Sequence, residues 1–555
     1  MFLLVRNVLP FFSIRRYLTN LGDVRPDLCK LCIQIKPVLN VITGIINDCF
    51  HRALRLTDTT VNTLIRVDDE HIFAFVKAVN RTHLDAIHMF ALNTFFFNDV
   101  GQNWPRTCGF REVKCRRSMT TGWYQTVSIL PITHENHGAI MAQPQALDHL
   151  TVLDLTRILA GPWASQTLAD LGADVIKVEH PQTGDDTRSW GPPFIQDKLP
   201  PEGLSAYFCG ANRNKKSLAL DFASEEGSKI LRELIMKSDI LIENYKVGGL
   251  KKYGLDYETL SKIHPGLIYC SITGFGQTGP YAHRAGYDFI IQAMSGLMSV
   301  TGQPPDTPGD EPMKIGVALT DIMTGLYAGT AILAAVAHRG KSGRGQHIDM
   351  SLMDVSVAAM ANQAMNYLVS GKSPTRMGNA HPNIVPYQVF PTADGHLIIA
   401  VGNDRQFVSL MKVLGDESLG TDERYLSNSS RVANREQLVP SIAALTKLQT
   451  TAHWAAELDK AQVPYGPIND TEAVFNDPQV IARELAIELP HPEHGTVPGV
   501  ACPVRLSETP PRYHSAPPSL GADTLEILQS RLKMTSEACN KLISDGICNS
   551  TAKGQ

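Results

Sequence analysis

The sequence predicts an α/β protein, with a large domain on a largely parallel sheet followed by a smaller α/β domain. Three observations predict it. From Leu150 onward, short runs rich in Val, Ile and Leu alternate with helical stretches. Strand, helix and strand follow one another at the spacing of a βαβ unit. After a set of long helices, a second strand-rich region begins at Pro386.

The first strand is Leu150-Thr-Val-Leu-Asp-Leu155. Ala160-Gly-Pro162 then opens a helical stretch to Leu171, and Gly172-Ala-Asp-Val-Ile-Lys-Val-Glu179 is the second strand. Ser217 to Asp221, Ile240 to Glu243 and Leu267 to Ile272 supply further strands, with a helical pattern from Glu226 to Met236. Long helices fill Asp321 to Leu368, and Pro386 to Phe390 and Leu397 to Val401 open the smaller domain. A Pro-rich stretch from Pro510 to Gly521 precedes one last amphipathic helix, about Thr524 to Leu542.

At 555 residues the chain exceeds one ordinary core. With 51 basic and 55 acidic residues its formal charge is -4, which excludes a bulk nucleic-acid or membrane-surface footprint. No stretch approaches the roughly 20 uninterrupted apolar residues of a membrane span. The most apolar run, Ala328 to Ala337, reads as a buried core helix. Ten cysteines form no spaced framework, which points to a reduced compartment, and Cys29-Lys-Leu-Cys32 is a lone CxxC with no function assigned. Residues 1–22 hold arginines and apolar residues with no acid before Asp23, in the manner of a mitochondrial presequence. Residues 23–148 show no period, repeat or chemistry.

Four motifs bear on function. Val317-Ala-Leu-Thr-Asp321 puts a carboxylate where an apolar run meets a long helix, so Asp321 is either a helix cap or a nucleophile. Gly274-Phe-Gly276-Gln-Thr-Gly279 fits GxGxxG formally, but Pro280 follows it and no acid stands about twenty positions on. A nicotinamide site is therefore rejected in favour of a structural turn or a loop touching another ligand. Arg213-Asn-Lys215-Lys216 is either a phosphate contact or a solvated basic turn. Glu243-Asn244-Tyr245 ends a strand, where open parallel sheets bind ligands.

The order and spacing of these segments resemble a known family. From about Leu150 to Ile547 the chain is similar to the class III CoA-transferases, the CaiB/BaiF or formyl-CoA transferase type. The resemblance is carried by Val152-Leu-Asp-Leu-Thr-Arg157-Ile-Leu-Ala-Gly161, Leu171-Gly-Ala-Asp-Val-Ile-Lys177-Val-Glu179, Gly184-Asp-Asp-Thr-Arg188, Asn212-Arg-Asn-Lys-Lys-Ser217, Glu243-Asn-Tyr245, Arg284-Ala-Gly-Tyr287-Asp288 and Asp321. It implies a Rossmann-like large domain at 149–370, a small α/β domain at 371–475, a part at 476–545 returning to the large domain, a tail at 546–555, and an interlaced homodimer.

It also implies an enzyme that moves CoA from succinyl-CoA to a dicarboxylic acid such as glutarate. Asp321 is the implied nucleophile, passing through an aspartyl anhydride and an aspartyl-CoA thioester, without ATP, metal or prosthetic group. CoA thioesters enter only as substrates. The implied CoA site comprises Leu159, Ala160, His180, Leu220, Asn244, Tyr245, Lys252, Ala285 and Tyr287, with Asp288 near the reacting carboxylate. The family's glycine-rich active-site loop is replaced by Gly378-Asn-Ala-His381-Pro-Asn-Ile384, which Pro382 stiffens. The sequence leaves two rival readings. An α-methylacyl-CoA racemase calls for a histidine where the chain has Tyr287, whose phenol, with a reference pKa near 10, is a poor base. A non-catalytic acyl-CoA-binding relative has no use for a nucleophilic Asp321.

Overall fold

The structure, a computed structural model, describes residues 144–199 and 203–551. The presequence-like segment 1–22, the stretch from 23 to 143 with its CxxC, and residues 552–555 lie outside the described residues.

Six strands run parallel in one sheet: β1 (Thr151–Asp154), β2 (Asp174–Glu179), β3 (Lys215–Leu220), β4 (Ile240–Glu243), β5 (Ile268–Thr273) and β6 (His347–Ser351). Their spatial order is β3-β2-β1-β4-β5-β6, the doubly wound Rossmann order, so the winding direction reverses between β1 and β4. Successive residues point to opposite faces. Val152, Val175, Ile240 and Ile268 enter one core with Ala164, Leu168, Ala328 and Ile332. Leu153, Ile176, Leu241 and Leu267 enter the other with Leu231, Leu234, Leu260 and Leu528. Burial on both faces explains why these strands read as mostly apolar runs with no regular alternation of polar residues.

The longer helices of this part, in chain order, are α1 (Ala160–Asp170), α2 (Glu225–Ile235), α3 (Tyr257–Ile263), α4 (Asp288–Met294), α5 (Leu319–Ser342), α6 (Leu352–Ala359) and α7 (Ala361–Ser370). Ser224 accepts from Gly227 N at the start of α2, and Asp256 accepts from Thr259 N at the start of α3, as N-caps do. At Gly325 on α5 a Cβ would lie 2.6 Å from the Ala160 carbonyl oxygen, so glycine lets α5 approach the start of α1 closely. α5 is longer than the apolar run singled out in the sequence. Among the described residues it is the one helix long and apolar enough to cross a membrane, yet its Ala328, Ile332 and Ala335 pack in the core under the sheet.

A separate antiparallel sheet joins β7 (Tyr387–Pro391), β8 (His396–Ala400) and β9 (Tyr465–Pro467). Its core holds Phe390, Leu397, Ile399, Phe407, Leu410 and Trp454, the last three from α8 (Asp404–Leu414) and, beyond α9 (Arg435–Thr446), α10 (Thr451–Lys460). A hairpin of β10 (Ala486–His491) and β11 (Gly495–Val500) leads to α11 (Thr524–Leu532) and α12 (Ser536–Ser544). Last, β12 (Cys548–Asn549) pairs antiparallel with β3.

Two elements differ from expectation. β6 lies inside the stretch read as long helices. Its residues alternate polar and apolar, with Ile348 and Met350 packing on the core. The single last helix is two: Lys533 takes a left-handed φ of 59° that ends α11, and Thr535 caps α12 by accepting from Ala538 N.

Candidate active site

A cavity of about 720 Å³ opens at the carboxyl ends of the strands, beside the β1/β4 reversal. All eleven residues that the family resemblance nominates line it. Leu159 and Ala160 stand at the entry to α1, His180 just past β2, Leu220 at the end of β3, and Asn244 and Tyr245 just past β4. Lys252 follows in the same wall. Ala285 and Tyr287 precede α4, Asp288 opens it, and Asp321 lies in the first turn of α5.

The β1–α1 loop is held from across the reversal. Asn244 Oδ1 accepts from Arg157 N at 3.0 Å, and Asn244 Nδ2 donates to Arg157 O at 2.8 Å. The next residue, Ile158, has a φ of 73°, where a β-branched side chain is strained, and its N–H donates to Asp185 Oδ1 at 3.3 Å. The opposite wall is a backbone contact: a Cβ at Gly274 would lie 2.5 Å from Gly286 Cα. The GxGxxG segment thus serves as a turn and a cavity wall, with Gly276 and Gly279 at φ of 85° and 90°.

Sequence reasoning passed over several residues here. Arg157, Lys246 and Arg284 line the cavity beside Lys252, sharing its walls with the carboxylates of Glu179, Asp185, Asp186, Asp221, Asp288 and Asp321. Arg284 sits 4.8 Å over the Tyr281 ring. The signal for Arg157 and Arg284 was their place beside small or apolar residues within motifs already marked. Tyr207 was also missed. Its phenol pKa is raised by burial and by the charges of Asp321 and Asp288, and its ring meets Trp190 edge-on at 5.2 Å.

Asp321 is not the helix cap. The N-cap position of α5 is Ala318, and the capping acceptor is Asp288, whose Oδ1 takes Thr320 N at 2.8 Å and Asp321 N at 3.3 Å. The Asp321 carboxylate, half-buried, is pushed up to about 7 by burial and then by the neighbouring Asp288 charge. It is therefore near half-ionised at neutral pH, a poise suited to a nucleophile or base.

The basic run Arg213–Lys216 is not a solvated turn, since Arg213 and Lys215 are buried and their charges are spent on carboxylates of the chain itself. Arg213 pairs with Asp170 at 2.6 Å, and buried Lys215 reaches Asp154 at 3.1 Å and Asn212 Oδ1 at 2.8 Å. Half-exposed Lys216 pairs with Asp174 and Glu526. Lys177 Nζ lies 2.9 Å from Asp185, and Arg188 grips Glu179 with two bonds of 2.7 Å. Burial opposes ionisation of Asp154, but Lys215 and Lys177 outweigh it and hold its carboxyl far below the usual range. This ionic lattice braces the cavity floor. Segment 378–384 does not line the cavity; Arg435 Nη2 holds its His381 and Pro382 carbonyls at 3.2 and 2.8 Å. At the β10–β11 turn His491, Glu493 and His494 cluster, but His491 Nδ1 already accepts from Glu493 N and His494 N, as a turn lock does.

Comparison with known proteins agrees with this architecture. The profile of CoA-transferase family III matches residues 147–524, and the chain belongs to that family. Among its relatives is a succinate–glutarate CoA-transferase of Agrobacterium fabrum, 51% identical over 382 residues that span 69% of this chain and 94% of that one. A succinyl-CoA:glutarate CoA-transferase of Homo sapiens is 44% identical over 403 residues, 72% of this chain and 89% of that one. A solved CaiB/BaiF family structure from Brucella suis superposes with a TM-score of 0.62 at 53% identity, covering 70% of this chain and all of that one.

Proposed function

We propose that this enzyme moves CoA from succinyl-CoA to glutarate, and that Asp321 carries the acyl group between them. The observation that carries the reading is the position of Asp321: its carboxylate, in the first turn of α5, shares one cavity with every nominated CoA residue. The names of the relatives supply the substrate pair.

The steps conserve the thioester's energy. The Asp321 carboxylate attacks the succinyl carbonyl and expels CoA thiolate, leaving a succinyl–aspartyl anhydride. The thiolate attacks the Asp321 carbonyl and releases succinate, giving an aspartyl-CoA thioester. A glutarate carboxylate then attacks that thioester, expelling the thiolate and forming a glutaryl–aspartyl anhydride. The thiolate finally attacks the glutaryl carbonyl, so glutaryl-CoA leaves and Asp321 is regenerated. Water must be excluded throughout, since hydrolysis would discard each intermediate.

The same reading takes the protein as a homodimer. Support comes from large apolar side chains left exposed on three helices: Phe289 and Ile290 on α4, Leu326 and Tyr327 on α5, Leu368 and Val369 on α7. A mitochondrial location rests on the acid-free, arginine-bearing residues 1–22. The test incubates the full chain with succinyl-CoA and glutarate without ATP and follows glutaryl-CoA by mass spectrometry. Addition of hydroxylamine should trap a hydroxamate on the peptide containing Asp321. Asp321→Ala should make no product while still binding CoA, and full turnover by that variant would sink the mechanism.

A further inference from the structure

We infer that Gln292 is a positioning residue for the transfer, acting through Asp288 to set the place of Asp321; this rests on Asp321 being the nucleophile. Gln292 lies one turn after Asp288 on the same face of α4 and is 0% exposed. Both ends of its amide are spent. Nε2 donates to Asp288 Oδ2 at 2.7 Å, and Oε1 accepts from Ile315 N at 2.9 Å, tying α4 to the segment that leads into α5.

The other oxygen of Asp288 takes the two N–H groups that open α5, at Thr320 and Asp321. α5 has no cap of its own among the described residues. A buried amide thus orients a carboxylate on one helix, and that carboxylate caps the next helix in the turn that bears Asp321. Asp288, held on both oxygens, is a strut and not a free base. Without Gln292 the carboxylate can rotate about its side chain, its hold on α5 loosens, and its charge no longer sits at a fixed place beside Asp321. Asp288, Asp321 and Tyr207 are the titratable groups drawn together here.

The test measures succinyl-CoA:glutarate turnover from pH 5.5 to 9 for the parent, Gln292→Leu, Gln292→Glu and Asp321→Asn, with thermal unfolding as the folding control. Gln292→Leu should lower kcat by at least about tenfold, leave the KM for succinyl-CoA within about twofold, and move the acid limb to lower pH as the Asp288 charge drifts away. Gln292→Glu keeps the acceptor for Ile315 N but donates to Asp288 only while protonated. Its turnover relative to the parent should therefore be near one at low pH and fall as pH rises. Parental kcat and acid limb in Gln292→Leu, or a flat ratio for Gln292→Glu, would overturn the inference. Should the leucine variant fail to fold, the glutamate series decides alone. Turnover by Asp321→Asn would instead defeat the nucleophile reading, whatever Gln292 does.

Discussion

The Asn244 side chain exchanges with Arg157 the same two hydrogen bonds that paired strands exchange, accepting at 3.0 Å and donating at 2.8 Å. It bridges the crevice at the point where the sheet reverses its winding, and it pins a loop in which Ile158 sits at a strained φ of 73°. Such strain costs on the order of 1–3 kcal/mol and persists only while its surroundings impose it. Asn244→Ala removes both bonds, at about 0.5–1.5 kcal/mol each, and should raise the KM for succinyl-CoA roughly tenfold with a smaller effect on kcat. Steady-state kinetics check this; an unchanged KM would mean that the loop holds itself.

The poise of Asp321 sets a pH dependence. Its carboxyl is held at about 7 and, as the proposed nucleophile, must be ionised to attack, so activity should rise with pH along a limb centred near 7. The stability effect has the opposite sign. The folded state keeps the proton over a range where the unfolded state has lost it, so native stability is lost as pH rises toward 7. Asp321→Asn cannot ionise, and its Tm relative to the parent should be higher at pH 8 than at pH 5.

Glu243 makes the cleaner stability test because it is buried and takes no part in the proposed chemistry. Burial pushes its carboxyl up to about 7, against the hydrogen bonds from Ser271 and Tyr245 N. Relative to an ordinary glutamate near 4.3, the proton is favoured in the folded state between those values. Stability is therefore withdrawn as pH climbs from about 4.3 to 7, by roughly 3 kcal/mol at the upper end. Glu243→Gln can still accept from Tyr245 N. Urea unfolding should find it more stable than the parent above pH 7 and near parity at pH 5.

Gly286 and Gly274 meet backbone to backbone, so neither tolerates a methyl group. A Cβ at Gly286 would lie 2.5 Å from Gly274 Cα, a backbone atom that cannot swing aside as a side-chain end can. Gly286→Ala should displace the segment bearing Ala285 and Tyr287 and weaken CoA binding at least tenfold by calorimetry. The Tm should move little, because this contact lies in loops outside the sheet core. Parental affinity would show that the segment does not grip the ligand.

The inner strands were legible because both of their faces are buried and each is a short, mostly apolar run, broken only by single polar residues such as Lys177 and Ser271. Ile240 to Glu243 begins and ends as read from the sequence. β6 was not legible, since His347 and Asp349 interrupt its apolar residues and a helix lies on either side. The cavity residues came from family resemblance, residue by residue, and their convergence on one cavity is a matter of topology that no local pattern displays. Charge was the least legible property. The partners of Arg213 and Lys215 lie at Asp170 and Asp154, far back along the chain. The acid that caps α5 is likewise on another helix, which is why a neighbouring aspartate was the natural local choice.

The two-residue pairing of Cys548 and Asn549 with Leu220 and Ala219 gives the order of synthesis a role in this molecule. Leu220 is a wall of the cavity, and β3, which it ends, is an outer strand of the parallel set. Ser217 and Ala219 of β3 also bond to Asp523 and Thr524, so until residues 523–549 have been made and folded back, β3 is an uncovered edge whose free N–H and C=O groups can template pairing with any nascent neighbour. Nearly the whole family region leaves the ribosome in that condition. A ribosome stalled in the final helices would release a chain with its chemistry encoded and its binding wall unguarded, at risk of aggregation before it could bind a substrate.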